Sequence, residues 1–267
     1  MLTISQLIIY PIKSLGAIEL QESKVTARGL AYDRRWLLVD ENNHFITQRE
    51  NTKMALIDVV FAENDGLLVS HRTKNIAPLF MPFIPQTTDI QKVVVWEDEI
   101  AAIRVSDEAD AWFSDVLEKD CRLMYQPDES IRLIDPDYAI TGNEHSSFAD
   151  GYPILLVGQA SLDDLNSRLV EKITMNRFRP NIVFSGGEPF QEDKIKTFSV
   201  QNAKFAGVKP CARCVLTTIN PSTAEKGKEP LATLATYRKS GNKILFGQNV
   251  VVHQEGVIRV GDEIVIF

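Results

Sequence analysis

Between residues 209 and 221 the chain reads Lys209-Pro210-Cys211-Ala212-Arg213-Cys214, then Val215-Leu216-Thr217-Thr218-Ile219-Asn220-Pro221. Two sulfurs lie among two cations, and positive charge beside a sulfur favours the thiolate, the form that attacks electrophiles or binds metal. Three uses compete: dithiol redox exchange, metal ligation, or a pair of half-buried thiols that simply pack. Thioredoxin-type exchange wants its nucleophilic sulfur at the start of a helix, whereas the β-branched run after Cys214 predicts a buried strand, which ranks that use low. A structural zinc site needs four ligands, usually from paired clusters. Cys121 and the scattered His44, His71, His145 and His253 do not supply them. Packing accounts for Cys211 better than for Cys214, which stands beside a cation at the predicted strand's entrance.

The chain of 267 residues, 44% hydrophobic and 24% charged, has the length and composition of one large or two ordinary soluble domains. Its net charge of -7 argues against a nucleic-acid polymer or an acidic membrane as partner, so any anionic ligand must be held by a local cluster of cations. Residues 1–10 lack a basic start and interrupt their apolar residues with Thr3, Ser5 and Gln6, so neither a signal peptide nor a membrane span is expected. Three cysteines make no disulfide framework, and a cytoplasmic location is expected.

The elements that must carry the site are mostly short strands. Residues 2–10 and 17–25 predict a hairpin with Lys13 and Ser14 at its tip, which by itself reads as a solvated turn. Asp33-Arg34-Arg35-Trp36 enters a third strand, where alternation would send one arginine inward and the other to the surface; Asp33 offers a local ion pair. Two more hairpins follow, 55–61 with 66–70 and 91–96 with 99–105, separated by an irregular stretch at 78–85. Such spacing predicts a barrel or sandwich. Residues 107–119 form a helix by periodicity, 121–125 a strand, and 126–138 a linker or mobile loop. Beyond it come a strand at 153–157, a helix opened by Ser161 with Asp164 as a capping-box variant, and Arg177-Phe178-Arg179-Pro180 before a buried strand. Alternation lets Arg177 and Arg179 project from one side. Strands at 194–200 and 204–208 lead to the cysteines. After a polar loop come a helix at 231–238 and two closing strands, 243–251 and 257–267.

The stretch 209–221, with Asn166-Ser167-Arg168-Leu169, Phe178-Arg179-Pro180-Asn181-Ile182-Val183 and Phe246-Gly247-Gln248-Asn249, resembles MOSC-domain proteins. Tyr10-Pro11-Ile12-Lys13-Ser14 and Asp33-Arg34-Arg35-Trp36 resemble the N-terminal β-barrel domain that accompanies MOSC in the amidoxime-reducing, molybdenum-cofactor group. The resemblance covers essentially the whole chain. It implies a mainly β protein with some α (α+β), a β-barrel-like domain at 1–120 and a MOSC β-barrel domain at 121–267.

It also implies a function: reduction of N-hydroxylated compounds such as hydroxylamines, amidoximes or N-hydroxylated bases, on a molybdenum cofactor (molybdenum bound to molybdopterin). Carried over residue by residue, the metal ligand and catalytic residue falls on Cys214, and the pterin and phosphate contacts on Lys13, Ser14, Arg34, Arg179 and Arg213. Soft thiolate ligation suits such a metal. Ala212, Gly151 and Tyr152 replace hydroxyl residues of mitochondrial-type relatives, and Asn249 stands where they have tyrosine. With three cysteines, no plant-type ferredoxin domain is expected within the chain, so electrons would come from a separate flavin, iron-sulfur or haem protein. Two rival functions are a cysteine-persulfide sulfur carrier, or sulfurtransferase, on Cys214 or Cys211, and a non-catalytic cofactor carrier.

Overall fold

The computed structural model describes residues 1–267. Its largest sheet closes on itself, running Ile154–Gly158, Ile182–Ser185, Leu2–Ile9, Glu263–Ile266, Thr197–Val200, Ala203–Ala212 and Lys243–Gln254, with the last strand pairing back onto the first. Closure leaves this seven-stranded barrel without the open edges that would invite aggregation. Both faces of the Leu2–Ile9 strand are used. A register shift between Ile4 and Gln6 is followed by Leu7, Ile8 and Ile9 all buried. Leu7 and Ile9 join Phe184, Phe198, Phe205 and Val250 in one core. Ile8 packs on the other side with Leu162 and Leu165 of helix Gln159–Arg168 and Leu234 of helix Leu231–Ala235.

Residues between the first strand and position 125 build two further sheets. One is ordered Trp36–Val39, Arg122–Tyr125, Asp98–Arg104, Ile90–Val95, and the other Ile57–Ala62, Gly66–His71, Leu79–Pro82. Helix Asp107–Leu117 packs on them through Ala109, Phe113, Val116 and Leu117. It starts where the Ser106 side chain accepts from the Ala109 N–H and ends where Glu118 takes a left-handed φ of 54°. The expected α+β class, dominated by β-barrel architecture, is what the chain adopts. The division at 120/121 is not followed by the strands in space. Leu2–Ile9 belongs to the later barrel, and Arg122–Tyr125 to the earlier sheet.

Several local expectations are corrected. The run after Cys214 is a single 3-10 turn, Val215–Thr218, and not a strand. The Thr217 hydroxyl donates to the Cys214 carbonyl and the Thr218 hydroxyl to the Val215 carbonyl, so the threonines close the turn against their β preference. The strand instead runs up to and through Cys211, with Ala203–Ala212 carrying Lys209 to Ala212 at its end, and stops before Cys214. The stretch at 78–85 contains a strand, Leu79–Pro82, because its prolines fall outside or at the last position, where no interior ladder donor is lost. Within the 126–138 segment, Arg132–Leu133 pairs with His145–Ser146. The hairpin of residues 2–9 and 18–20 forms, but its Lys13–Ser14 turn is buried.

Ser161 does not cap its helix, which begins at Gln159. Its hydroxyl donates to the buried Glu192 carboxylate (2.8 Å), whose other oxygen has no partner. Burial pushes the Glu192 carboxyl from its usual 4.5 up to about 7. A carboxyl that holds its proton more tightly folded than unfolded favours the fold at low pH and loses that advantage as pH rises toward the folded value. The shift of 4.5 to about 7 corresponds to roughly 3 kcal/mol. Unfolding free energy should therefore decline between pH 4.5 and 7, and Glu192→Gln should flatten that slope in denaturant titrations. An unchanged slope would remove the burial argument.

Candidate functional site

One cleft between the barrel and the residues preceding position 50 is lined by all six residues carried over from the resemblance: Lys13, Ser14, Arg34, Arg179, Arg213 and Cys214. Lys13 is fixed by its backbone, which donates to the Trp36 carbonyl, while its ammonium donates to the Phe148 carbonyl (2.7 Å) and Asp150 Oδ1 (2.6 Å). Burial brings Lys13 down to about 8 despite Asp150. The Asp150 carboxyl is held far below the usual range: burial opposes this, but Lys13 and Arg49 outweigh it together.

Arg34 and Arg35 stand in the turn before the strand that starts at Trp36. They part as expected: Arg35 binds the Gln126 carbonyl and Asp128, and Arg34 turns to the cleft. Arg34 Nη1 donates to Asp33 Oδ2 (2.5 Å) and Asn181 Oδ1 (3.0 Å), and Nη2 to the Arg179 carbonyl (3.2 Å). Arg177 and Arg179, expected on one side, diverge. Arg177 sits in a 3-10 turn and reaches the Thr217 carbonyl, while Arg179 adopts a left-handed φ of 54° and donates to the Leu15 carbonyl (2.8 Å). The Arg179 and Arg34 guanidinium carbons lie 3.9 and 4.5 Å from the Tyr10 ring centroid, close enough for cation–π attraction. Burial drives the Tyr10 phenol up to about 12 and Arg179 down to about 10. Ser14, Arg34 and Arg179 all have positive φ, so backbone strain gathers at the cleft.

The cysteine chemistry differs from the sequence picture. Arg213, expected beside Cys214, donates to Cys211 Sγ (3.0 Å) and the Phe178 carbonyl (2.7 Å). Lys209 leans on the Tyr138 ring at 3.7 Å, near Asp135. The cation at Cys214 comes from the other half of the chain: Arg49 Nη1 approaches Cys214 Sγ at 3.9 Å and Asp150 Oδ2 at 3.2 Å. Cys214 is exposed, Cys211 is half-buried against an apolar cluster, and Cys121 lies buried beneath the helix Asp107–Leu117, its thiol pushed up to about 11 by burial.

Sequence reasoning missed Arg49 and Asp150 and did not single out Asn181. Asp150 carried a weak signal, an acid among small residues just ahead of a buried strand; Arg49, in Thr47-Gln48-Arg49-Glu50, carried none. The donor set fits an anionic, phosphate-bearing cofactor. Arg49 Nη2, Arg179 Nη2 and Arg213 Nε are buried without a hydrogen-bond partner, a costly state that an acceptor in the cleft would relieve. Ala212, Gly151, Tyr152 and Asn249, the positions that depart from the family pattern, line the same cleft.

The chain that builds this closed barrel, second β unit and shared cleft belongs to the MOSC family: residues 1–120 match the MOSC N-terminal beta barrel domain and residues 143–265 the MOSC domain. The chain is similar to mitochondrial amidoxime-reducing component 1 of Mus musculus, 33% identical over 98% of this chain and 81% of that protein. The Homo sapiens protein of the same name is 32% identical, with 98% and 82% covered. A molybdenum cofactor sulfurase of Solanum lycopersicum is 29% identical, and there the match takes in 98% of this chain but only 35% of the relative. No helix is long and apolar enough to cross a membrane.

Proposed function

We propose that the protein reduces N-hydroxylated compounds with a molybdenum cofactor bound in this cleft, using electrons from a separate donor protein. The observation that carries the reading is a single cleft that brings together an exposed cysteine, cations from both halves of the chain and three orphaned guanidinium nitrogens. A persulfide carrier needs a reactive thiol but no such anion pocket. The names of the relatives point the same way: two are amidoxime-reducing components and one handles molybdenum cofactor.

Cys214 would supply the protein's sulfur ligand, and Lys13, Ser14, Arg34, Arg179 and Arg213 would hold the pterin and its phosphate. When bound, the cofactor supplies the two-electron redox step and a Lewis-acid site for the substrate oxygen. For a hydroxylamine the N–O bond breaks, two electrons and two protons are consumed, and the products are an amine and water. The chain itself provides placement and charge. Arg34 is braced on Tyr10, Asp33 and Asn181, and Arg179 on Tyr10 and the Leu15 carbonyl, so both cations are held in place for a bound phosphate.

The test is metal and pterin analysis of protein purified from a host that makes the cofactor, followed by reduction of an aromatic amidoxime and a hydroxylamine with a chemical electron donor. Near-stoichiometric molybdenum with pterin, and turnover of both substrates, is the expected result. Loaded protein without turnover would leave a cofactor carrier. Metal-free protein bearing cyanide-labile sulfur would make it a sulfur carrier.

A further inference from the structure

Trp96 occupies a place where the backbone disfavours it. It is the first residue of the two-residue turn between Val95 and Asp98, with a φ of +59°, where hairpins ordinarily place glycine. A bulky residue held at positive φ is an outlier, and such strain persists where the surrounding structure over-determines it. Half-exposed, the Trp96 ring meets Phe45 at 5.1 Å between centroids and lies 4.7 Å from the Arg49 guanidinium carbon. Phe45 itself is 5.8 Å from that carbon. Arg49 is thereby held by two aromatic rings and the Asp150 carboxylate, with Nη1 at Cys214.

We propose that Trp96 and Arg49 are positioning residues for Cys214: the indole fixes the guanidinium, and the guanidinium fixes the orientation and charge environment of the sulfur. No residue adjacent to Cys214 in sequence does this, since Arg213 is committed to Cys211 and the Phe178 carbonyl. A freely rotating arginine on the Thr47-Gln48-Arg49 segment would spend most of its time in water. The aromatic clamp removes that freedom before any ligand arrives. The part of the proposal that concerns metal retention rests on Cys214 being the ligand; the part that concerns the sulfur's surroundings does not.

The closing experiment uses full-length wild type, Trp96→Gly and Arg49→Gln. In protein made without cofactor, initial rates of Cys214 modification are compared for the dianionic disulfide dithiobis(nitrobenzoate) and the neutral disulfide dithiodipyridine. Tryptic cleavage after Arg213 separates Cys214 from Cys211, so each is read alone. The ratio of the two rates cancels thiol protonation and reports the local charge. It should fall about threefold in Arg49→Gln, the effect of one reagent carboxylate about 7 Å from the guanidinium in water, and nearly as far in Trp96→Gly.

Because glycine suits the turn, the unfolding midpoint of Trp96→Gly should stay near wild type. In protein made with cofactor, both variants should lose molybdenum faster on dialysis. An unchanged rate ratio in either variant overturns the proposal, and so does a Trp96→Gly protein whose ratio falls only with a matching collapse of its midpoint. Wild type that takes up no molybdenum would sink the proposed function while leaving the rate comparison to decide the positioning role.

Discussion

Cys214→Ala is expected to reduce bound molybdenum from near-stoichiometric to background, whereas Cys211→Ala keeps most of it. No group of three or more His, Cys, Asp or Glu side chains is gathered anywhere that could cage a metal by protein ligands alone. Any molybdenum held here would take its remaining ligands from outside the protein, so one protein sulfur would carry the protein's whole share. Of the two candidates, Cys214 is exposed in the cleft and faces Arg49, at the start of the Val215–Thr218 turn. Cys211 is partly packed among Phe178, Phe246 and their neighbours, and its sulfur already accepts from Arg213. Removing it would cost an arginine contact at the pocket wall and leave the proposed ligand, Cys214, in place. Metal analysis of the two variants, purified side by side from a cofactor-making host, checks this. Equal loss in both would end the assignment of a single ligand.

The six positions carried over from the resemblance were legible because each sits in a short local motif. Cys214 and Arg213 lie in one hexapeptide, Lys13 and Ser14 follow Tyr10-Pro11, and Arg34 and Arg179 each flank a strand entrance. Strand spacing and turn residues pointed to a barrel or sandwich, and the α+β class with its β-barrel domains came from the family resemblance. What escaped depends on contacts between distant parts of the chain. Arg49 acquires its meaning only when it reaches Cys214, 165 residues away, and Asp150 only when Lys13 arrives from 137 residues off. Nothing in the Leu2–Ile9 segment announces that it completes a barrel whose other strands begin at Ile154. The Val215–Thr218 error has a local cause. β-branched residues suggest a strand, but two threonine hydroxyls bonded three residues back hold a turn, and propensity counts side-chain shape without that bond.

Asn181→Ala should cost about 3–5 kcal/mol of unfolding free energy, from two or three buried groups left unsatisfied at roughly 1–3 kcal/mol each. The Asn181 side chain is buried between strands. Its Oδ1 accepts from the Leu155 N–H (3.1 Å) and from Arg34 Nη1 (3.0 Å), and its Nδ2 donates to the Ile8 carbonyl (3.2 Å). Its own backbone bonds to the same two strands, donating to the Leu155 carbonyl and accepting from the Ile8 N–H. Alanine retains those backbone bonds, so the barrel should still close while the side-chain partners lose their acceptor and donor. Denaturant titration checks the magnitude, and a loss below about 1 kcal/mol, the net worth of one ordinary hydrogen bond, would mean that relaxation or water satisfies the site. The same residue links stability to binding, because the bond it gives Arg34 braces a cation of the cleft. A ligand that binds only the folded form raises the unfolding free energy by an amount set by its affinity. If Asn181 were scaffolding alone, cofactor loading would stabilise wild type and variant equally. Because Arg34 would be left leaning on Asp33 without its lateral stop, loading should stabilise Asn181→Ala less than wild type, and equal increments would confine Asn181 to the barrel wall.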